Sequence, residues 1–207
     1  MRKWPVLLGF LLCAITLVAQ KPFEGRIHYS VNYLSFPDGM EGTELALPQQ
    51  MTLVINGANY RMQQASALAG DLVWIRPEGG DTVYQLFDFM GRKVYLAIPL
   101  GKGAAKYRIV PKEGELTLAG VECSRRFAQD ASGEHKEMWV WERYKNPLTN
   151  DFPSLKSLPL QFDMERNGIR MRFSVERIIE EPIDQTYFTI PSNAVRIDEG
   201  ILQRIMN

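Results

Sequence analysis

Residue types able to do chemistry are sparse in this chain of 207 residues. His28 and His135 are its two histidines. Neither belongs to a paired spacing such as His-x-x-x-His, so no metal ligand set is expected. Both read as solvent-facing. Cys13 and Cys123 are the two cysteines. Cys123 lies close to Val121 and Phe127 with no basic helix start beside it, and so reads as a buried thiol rather than a nucleophile. The Gly-x-Ser-x-Gly elbow of a serine hydrolase is missing. Gly101-Lys102-Gly103 is too short to cradle a phosphate. Asp163 and Glu165 could suggest the paired carboxylates of glycoside chemistry. They stand opposite Arg170 and Arg172, however, and read as a solvated strand face. Arg125-Arg126 is a small basic surface spot. No catalytic residue, cofactor or metal is expected, and the chain is not expected to be an enzyme.

What remains is apolar. Met51, Leu53, Met62, Trp74, Trp139, Phe162, Met164, Met171 and Phe173 form a methionine-rich and aromatic set. Methionine adapts to irregular apolar partners, which suits an acyl chain. Seven of these residues are the candidate ligand wall: Met62, Trp74, Trp139, Phe162, Met164, Met171 and Phe173. The alternative is that they simply fill a core.

These side chains must be positioned by strands, because alternation dominates the sequence. Ile27, Tyr29, Val31 and Tyr33 alternate with Arg26, His28, Ser30 and Asn32. Gly57-Ala58 makes a two-residue turn that sets Ile55 opposite Tyr60 and Leu53 opposite Met62. Asp88 is likewise expected opposite Lys93, and Phe87 opposite Val94. Asn167-Gly168 is a strong hairpin signal. It sets Met164 against Met171 and Phe162 against Phe173, with Asp163 against Arg172 and Glu165 against Arg170 on the other face. A slip of one residue would oppose apolar to charged side chains. The runs Leu72–Ile75 and Met138–Trp141 are apolar on both faces, so both faces need a cover. Prolines 147, 153 and 159 exclude a long helix over 145–159. A last strand is expected at Tyr187–Ile190, and a short helix after Asp198.

About nine to eleven strands at hairpin spacing predict a mainly β, antiparallel domain over 21–207. Its hydrophobic content of 45% is that of a packed globular protein. The balance of 24 basic and 24 acidic residues argues against a nucleic-acid partner. Residues 1–20 read as a signal peptide: Arg2 and Lys3, then an apolar run from Val6 to Val18. The run is too short for a confident membrane span, and no later run is long enough. The mature chain would carry a net charge near −2 and keep Cys123 alone.

Several segments carry a family resemblance. They are Phe23–Tyr29 after the leader, Asp88–Lys93, and Leu118–Cys123 before an Asp-Ala-Ser-Gly turn and Trp139-Val140-Trp141. Leu158-Pro159-Leu160 then enters the Asn-Gly hairpin, and Asp184 precedes Phe188–Pro191. In this order they resemble an uncharacterised family of exported bacterial proteins, a domain of unknown function. Its architecture is related to the Lol-type carriers of outer-membrane lipoproteins. The resemblance implies a strongly curved antiparallel sheet, an incomplete barrel closed on its concave side by short helices or loops. It also implies an exported protein of the periplasm or envelope, or one secreted beyond it. The expected ligand is a lipid or lipoprotein acyl chain in the concavity. The alternative is an envelope protein–protein interaction module with a filled core and no ligand.

Overall fold

The computed structural model describes residues 20–40, 42–66, 70–100, 107–130, 133–149, 152–166 and 168–198. Apart from Gln20, the expected leader lies outside these residues, as does the expected C-terminal helix after Asp198. The phosphate-loop candidate Gly101-Lys102-Gly103 lies outside them too.

Alternating patterns and tight turns produce two meanders. The first holds β1 (Glu24–Ser35), β2 (Gln50–Asn56), β3 (Asn59–Ser66), β4 (Gly70–Arg76), β5 (Thr82–Phe89) and β6 (Arg92–Pro99). The second holds β7 (Arg108–Leu118), β8 (Val121–Gln129), β9 (His135–Lys145), β10 (Ser157–Arg166) and β11 (Ile169–Glu180). β1 and β11 pair, so one sheet runs β6-β5-β4-β3-β2-β1-β11-β10-β9-β8-β7. All these pairs are antiparallel; a two-residue β12 (Val195–Arg196) joins β6 in parallel. Eleven full strands and this short twelfth make an open, curved sheet.

Chain length forces the curvature. In a flat sheet the ten gaps between β6 and β7 would separate them by about 48 Å, at about 4.8 Å per gap. The nine residue steps from Pro99 to Arg108 reach only about 32 Å. The sheet must therefore bend to bring its two ends within reach.

Each tested register matches the pattern in the sequence. Ile55 faces Tyr60 and Leu53 faces Met62, while Phe87 faces Val94 and Asp88 faces Lys93. In the last hairpin Phe162 faces Phe173, Met164 faces Met171, Asp163 faces Arg172 and Glu165 faces Arg170. One packing detail differs from expectation. Asp163 is not solvated: it is 3% exposed, and both Arg170 and Arg172 donate to its carboxylate. Two arginines on one strand converge on a single acid, and their guanidiniums supply the hydrogen bonds that water would otherwise make.

The segment expected as a last strand is a short 3-10 helix, Gln185–Phe188. The Asp184 carboxylate accepts from the Thr186 backbone N–H at 2.8 Å and starts that turn. Phe188 and Ile183 from this stretch bury against Val54, Val73, Ile75 and Leu86 on the convex face. That is the cover the two-sided apolar strand β4 required.

Candidate functional site

The concave face carries the larger apolar cluster. Register places Ile27, Leu53, Met62 and Trp74 side by side across β1 to β4. On the other side of β1, Val31, Phe173, Phe162 and Met138 continue the same face. The phenyl rings of Phe162 and Phe173 stack at 5.1 Å, and Tyr29 meets Phe162 edge-on at 5.9 Å. The Tyr29 hydroxyl donates to the Pro159 carbonyl at 2.8 Å, so a buried phenol is satisfied. Desolvation drives its pKa far above the usual phenol range.

Six of the seven residues expected to line a ligand wall share this face: Met62, Trp74, Phe162, Met164, Met171 and Phe173. Trp139 does not. It pairs with Gln161 and Arg125, out of that row, with the Arg125 guanidinium 5.8 Å from its ring, and it is half-buried against the margin of the same cluster. A strand with period two cannot put Met138, Trp139, Val140 and Trp141 on one face. Met138 and Val140 take the concave positions and are almost fully buried.

The concavity has a roof that the sequence did not reveal. In the connection from β9 to β10 the described residues 146–149 and 152–156 lie over the apolar face and bury Leu148, Phe152 and Leu155 in the cluster. Phe152 stands edge-on to Phe162 at 5.5 Å. Pro147 and Pro153 break helix formation here, so Asn146 organises the segment instead. Its side-chain N–H groups donate to the carbonyls of Phe152 and Leu155, both at 3.2 Å, and its carbonyl accepts from Leu148 N at 2.8 Å. One tie reaches the far wall: Arg76 on β4 donates to Thr149 Oγ1 at 2.8 Å and to the Pro147 carbonyl at 3.4 Å. The Arg76 Nε–H is buried with no hydrogen-bond partner among the described residues.

The other chemistry-bearing residues are dispersed. Cys123 is buried and reduced, with its thiol pushed up to about 11 by desolvation. His28 is half-buried on the convex face beside Thr52 and Arg177. Burial, then the charges of Arg177 and Arg26, hold its pKa below the ordinary value. His135 is exposed at the end of β9. Arg125 and Arg126 point to opposite faces, the first to Glu137 and the second to Glu142. Among the described residues no group of His, Cys, Asp or Glu is arranged to hold a metal ion. No helix there is long and apolar enough to cross a membrane, which says nothing of strands.

No known family profile matches the sequence, and no curated protein matches it. Solved structures do match in shape. PNGF-II, solved in two crystal forms, superposes with TM-scores of 0.52 and 0.53 at 14% and 13% identity. The match covers 87% of this chain but 32% of PNGF-II, so the chain spans about a third of that protein's length. This likeness shows a shared fold and nothing more. An uncharacterised conserved protein from Thermus thermophilus superposes with a TM-score of 0.46 at 11% identity, covering 84% of this chain and 91% of that one. LprF from Mycobacterium bovis does so with a TM-score of 0.34 at 11% identity, covering 83% and 90%. At these scores neither of the last two likenesses bears on fold or function.

Proposed function

We propose that the concave face holds an apolar ligand, a lipid or lipoprotein acyl chain, in an exported, non-enzymatic protein of the bacterial envelope. The observation that carries this reading is the nature of the roof. A continuous apolar face is covered by a segment whose described residues form no helix or strand, and the tie from that segment to the far wall leaves a buried guanidinium N–H with no partner among the described residues. Such an orphaned donor costs about 1–3 kcal/mol, so releasing this tie to water is cheaper than breaking a satisfied one. Leu148, Phe152 and Leu155 then occupy the space an alkyl chain takes when the roof lifts. Met164 and Met171, half-buried at one end of the face, supply adaptable walls.

The close fit of Phe152 on Phe162 favours a second reading. There the face is simply a filled core, and the protein works as an interaction module through its surface.

Titration with dansyl-labelled undecanoic acid separates the two. Saturable binding with a blue shift, weakened by Met171→Lys, supports the ligand site. Absence of saturable binding by the folded chain leaves the filled core.

A further inference from the structure

Beside the roof lies a cavity of about 770 Å³ that the apolar face alone does not explain. Its walls come from β7, β8 and β9 and from the returning limb of the roof. Two of its lining residues, Ile109 and Leu155, also pack in or against the concave apolar cluster. The cavity and the greasy interior thus share a wall. Its polar side is cationic: Arg126, Arg143 and Lys156 face a single carboxylate, Glu142.

That carboxylate is already satisfied. Arg126 pairs with one of its oxygens and the Ser157 hydroxyl donates to the other. In the full chain Gln20, the last residue of the expected leader, also donates to the Ser157 hydroxyl and to the Glu142 backbone carbonyl, each at 2.9 Å; the pairing of Glu142 with Arg126 and Ser157 does not depend on it. The ion pair neutralises Glu142 and leaves two cations. Arg143 rests 5.2 Å from the Tyr144 ring and reaches Glu180 only at 4.0 Å, with both charged side chains about half exposed, a geometry worth little. Lys156 is exposed and has no ion-pair partner among the described residues. Two weakly engaged cations around a cavity that shares apolar walls with the interior match one chemical class, an amphiphile with an anionic head.

We infer that this cavity takes the oxyanion headgroup, phosphate or carboxylate, of the amphiphile whose chain lies under the roof. This assignment rests on the acyl-chain reading above and names its ligand class. The headgroup lies between Arg143 and Lys156, with Arg126 behind them. Leu155 is the hinge between the two parts of the site, because it touches both.

Isothermal titration of the full chain with dodecyl phosphate, dodecanol and inorganic phosphate tests it. Dodecyl phosphate should bind about tenfold or more tighter than dodecanol, the worth of one charge-assisted contact. The double variant Arg143→Gln/Lys156→Gln changes exposed side chains only, so it should fold. It should erase that preference and leave dodecanol binding unchanged. High salt should shrink the preference in the wild type, since both cations are reached by solvent. Equal binding of the two dodecyl compounds, unaltered in the double variant, overturns the headgroup assignment while the acyl-chain reading stands. Inorganic phosphate binding as tightly as dodecyl phosphate overturns it in favour of a free-anion site. Failure of both dodecyl compounds to bind removes the acyl-chain reading itself.

Discussion

The guanidinium of Arg166 on β10 lies 5.7 Å from the ring centroid of Trp74 on β4, although five strand spacings separate their positions in the sheet. On a flat sheet that separation would be about 24 Å, beyond the joint reach of the two side chains. The contact therefore identifies the apolar face as the concave one and measures how tightly the sheet curls. Trp74→Ala should destabilise the fold by about 3–5 kcal/mol, as loss of a large buried ring does. Arg166→Ala should cost less, the cation–ring contact itself being worth about 0.5–2 kcal/mol. Urea unfolding of the two variants, with equal m-values, checks the ordering. A larger loss for the arginine would place the curvature elsewhere.

Phe152 is the deepest anchor of the roof on the Phe162 side, so its removal should divide two properties. Phe152→Ala should lower stability by about 3–5 kcal/mol at most, with relaxation of an irregular segment reducing the figure. At the same time it vacates space over Phe162 and should raise affinity for dansyl-labelled undecanoic acid. Thermal unfolding and probe titration on the same sample give both numbers. Lower stability with no probe binding would mark Phe152 as core and nothing else.

Alkaline pH should weaken the fold through this face. Cys123 is raised from 9.0 to about 11 and Tyr144 from 10.0 to about 12, both first by desolvation; Tyr29 is raised further still. For such groups the folded state holds protons that the unfolded chain has released. Their contribution is complete below pH 9 and is lost as pH rises through about 11 to 12. Stability measured by urea titration should fall steadily above pH 9. The Cys123 thiol should resist a disulfide reagent at about pH 8 in the native state and react on unfolding. Rapid native reaction would contradict its burial.

Gly25, in the Phe-Glu-Gly-Arg segment that carried the family resemblance, has φ of +146°. A Cβ there would sit 2.1 Å from the Ile179 carbonyl oxygen on the paired strand β11. Gly25→Ala should therefore disturb the central β1–β11 seam. The cost should exceed the roughly 1–3 kcal/mol of an ordinary strained backbone position, since clash adds to it. Hydrogen exchange should show the loss concentrated in β1 and β11. A neutral effect would mean that the seam is slack.

Local register was legible in the sequence because it is written in pairs. Asp163 opposite Arg172 and Phe162 opposite Phe173 state the same alignment on two faces, and a tight turn fixes it. The displacement of Trp139 from the row of Met138 was equally legible, because Met138 and Val140 bracket it at period two. Phe188 was harder: Tyr187–Ile190 has strand-like composition, and only the Asp184 side chain, bonded to Thr186, turns it into a 3-10 helix. β7 leaves no pattern in the sequence over 108–115, because an exposed edge strand carrying Pro111, Lys112 and Glu113 has no buried face to pattern it. The roof was illegible for a different reason. Leu148, Phe152 and Leu155 have no regular period, and their burial depends on Asn146 and on Arg76, a residue about seventy positions away. Non-local contacts of that kind leave no mark on neighbouring residues.

Native mass spectrometry of the full chain, incubated with a bacterial envelope lipid extract and then freed of excess lipid, tests the central claim most directly. The account predicts a discrete, stoichiometric adduct of lipid mass, diminished in Met171→Lys and increased in Phe152→Ala. Bare protein mass throughout, for wild type and the roof variant alike, would contradict it and leave a sheet whose concave side is filled by its own chain.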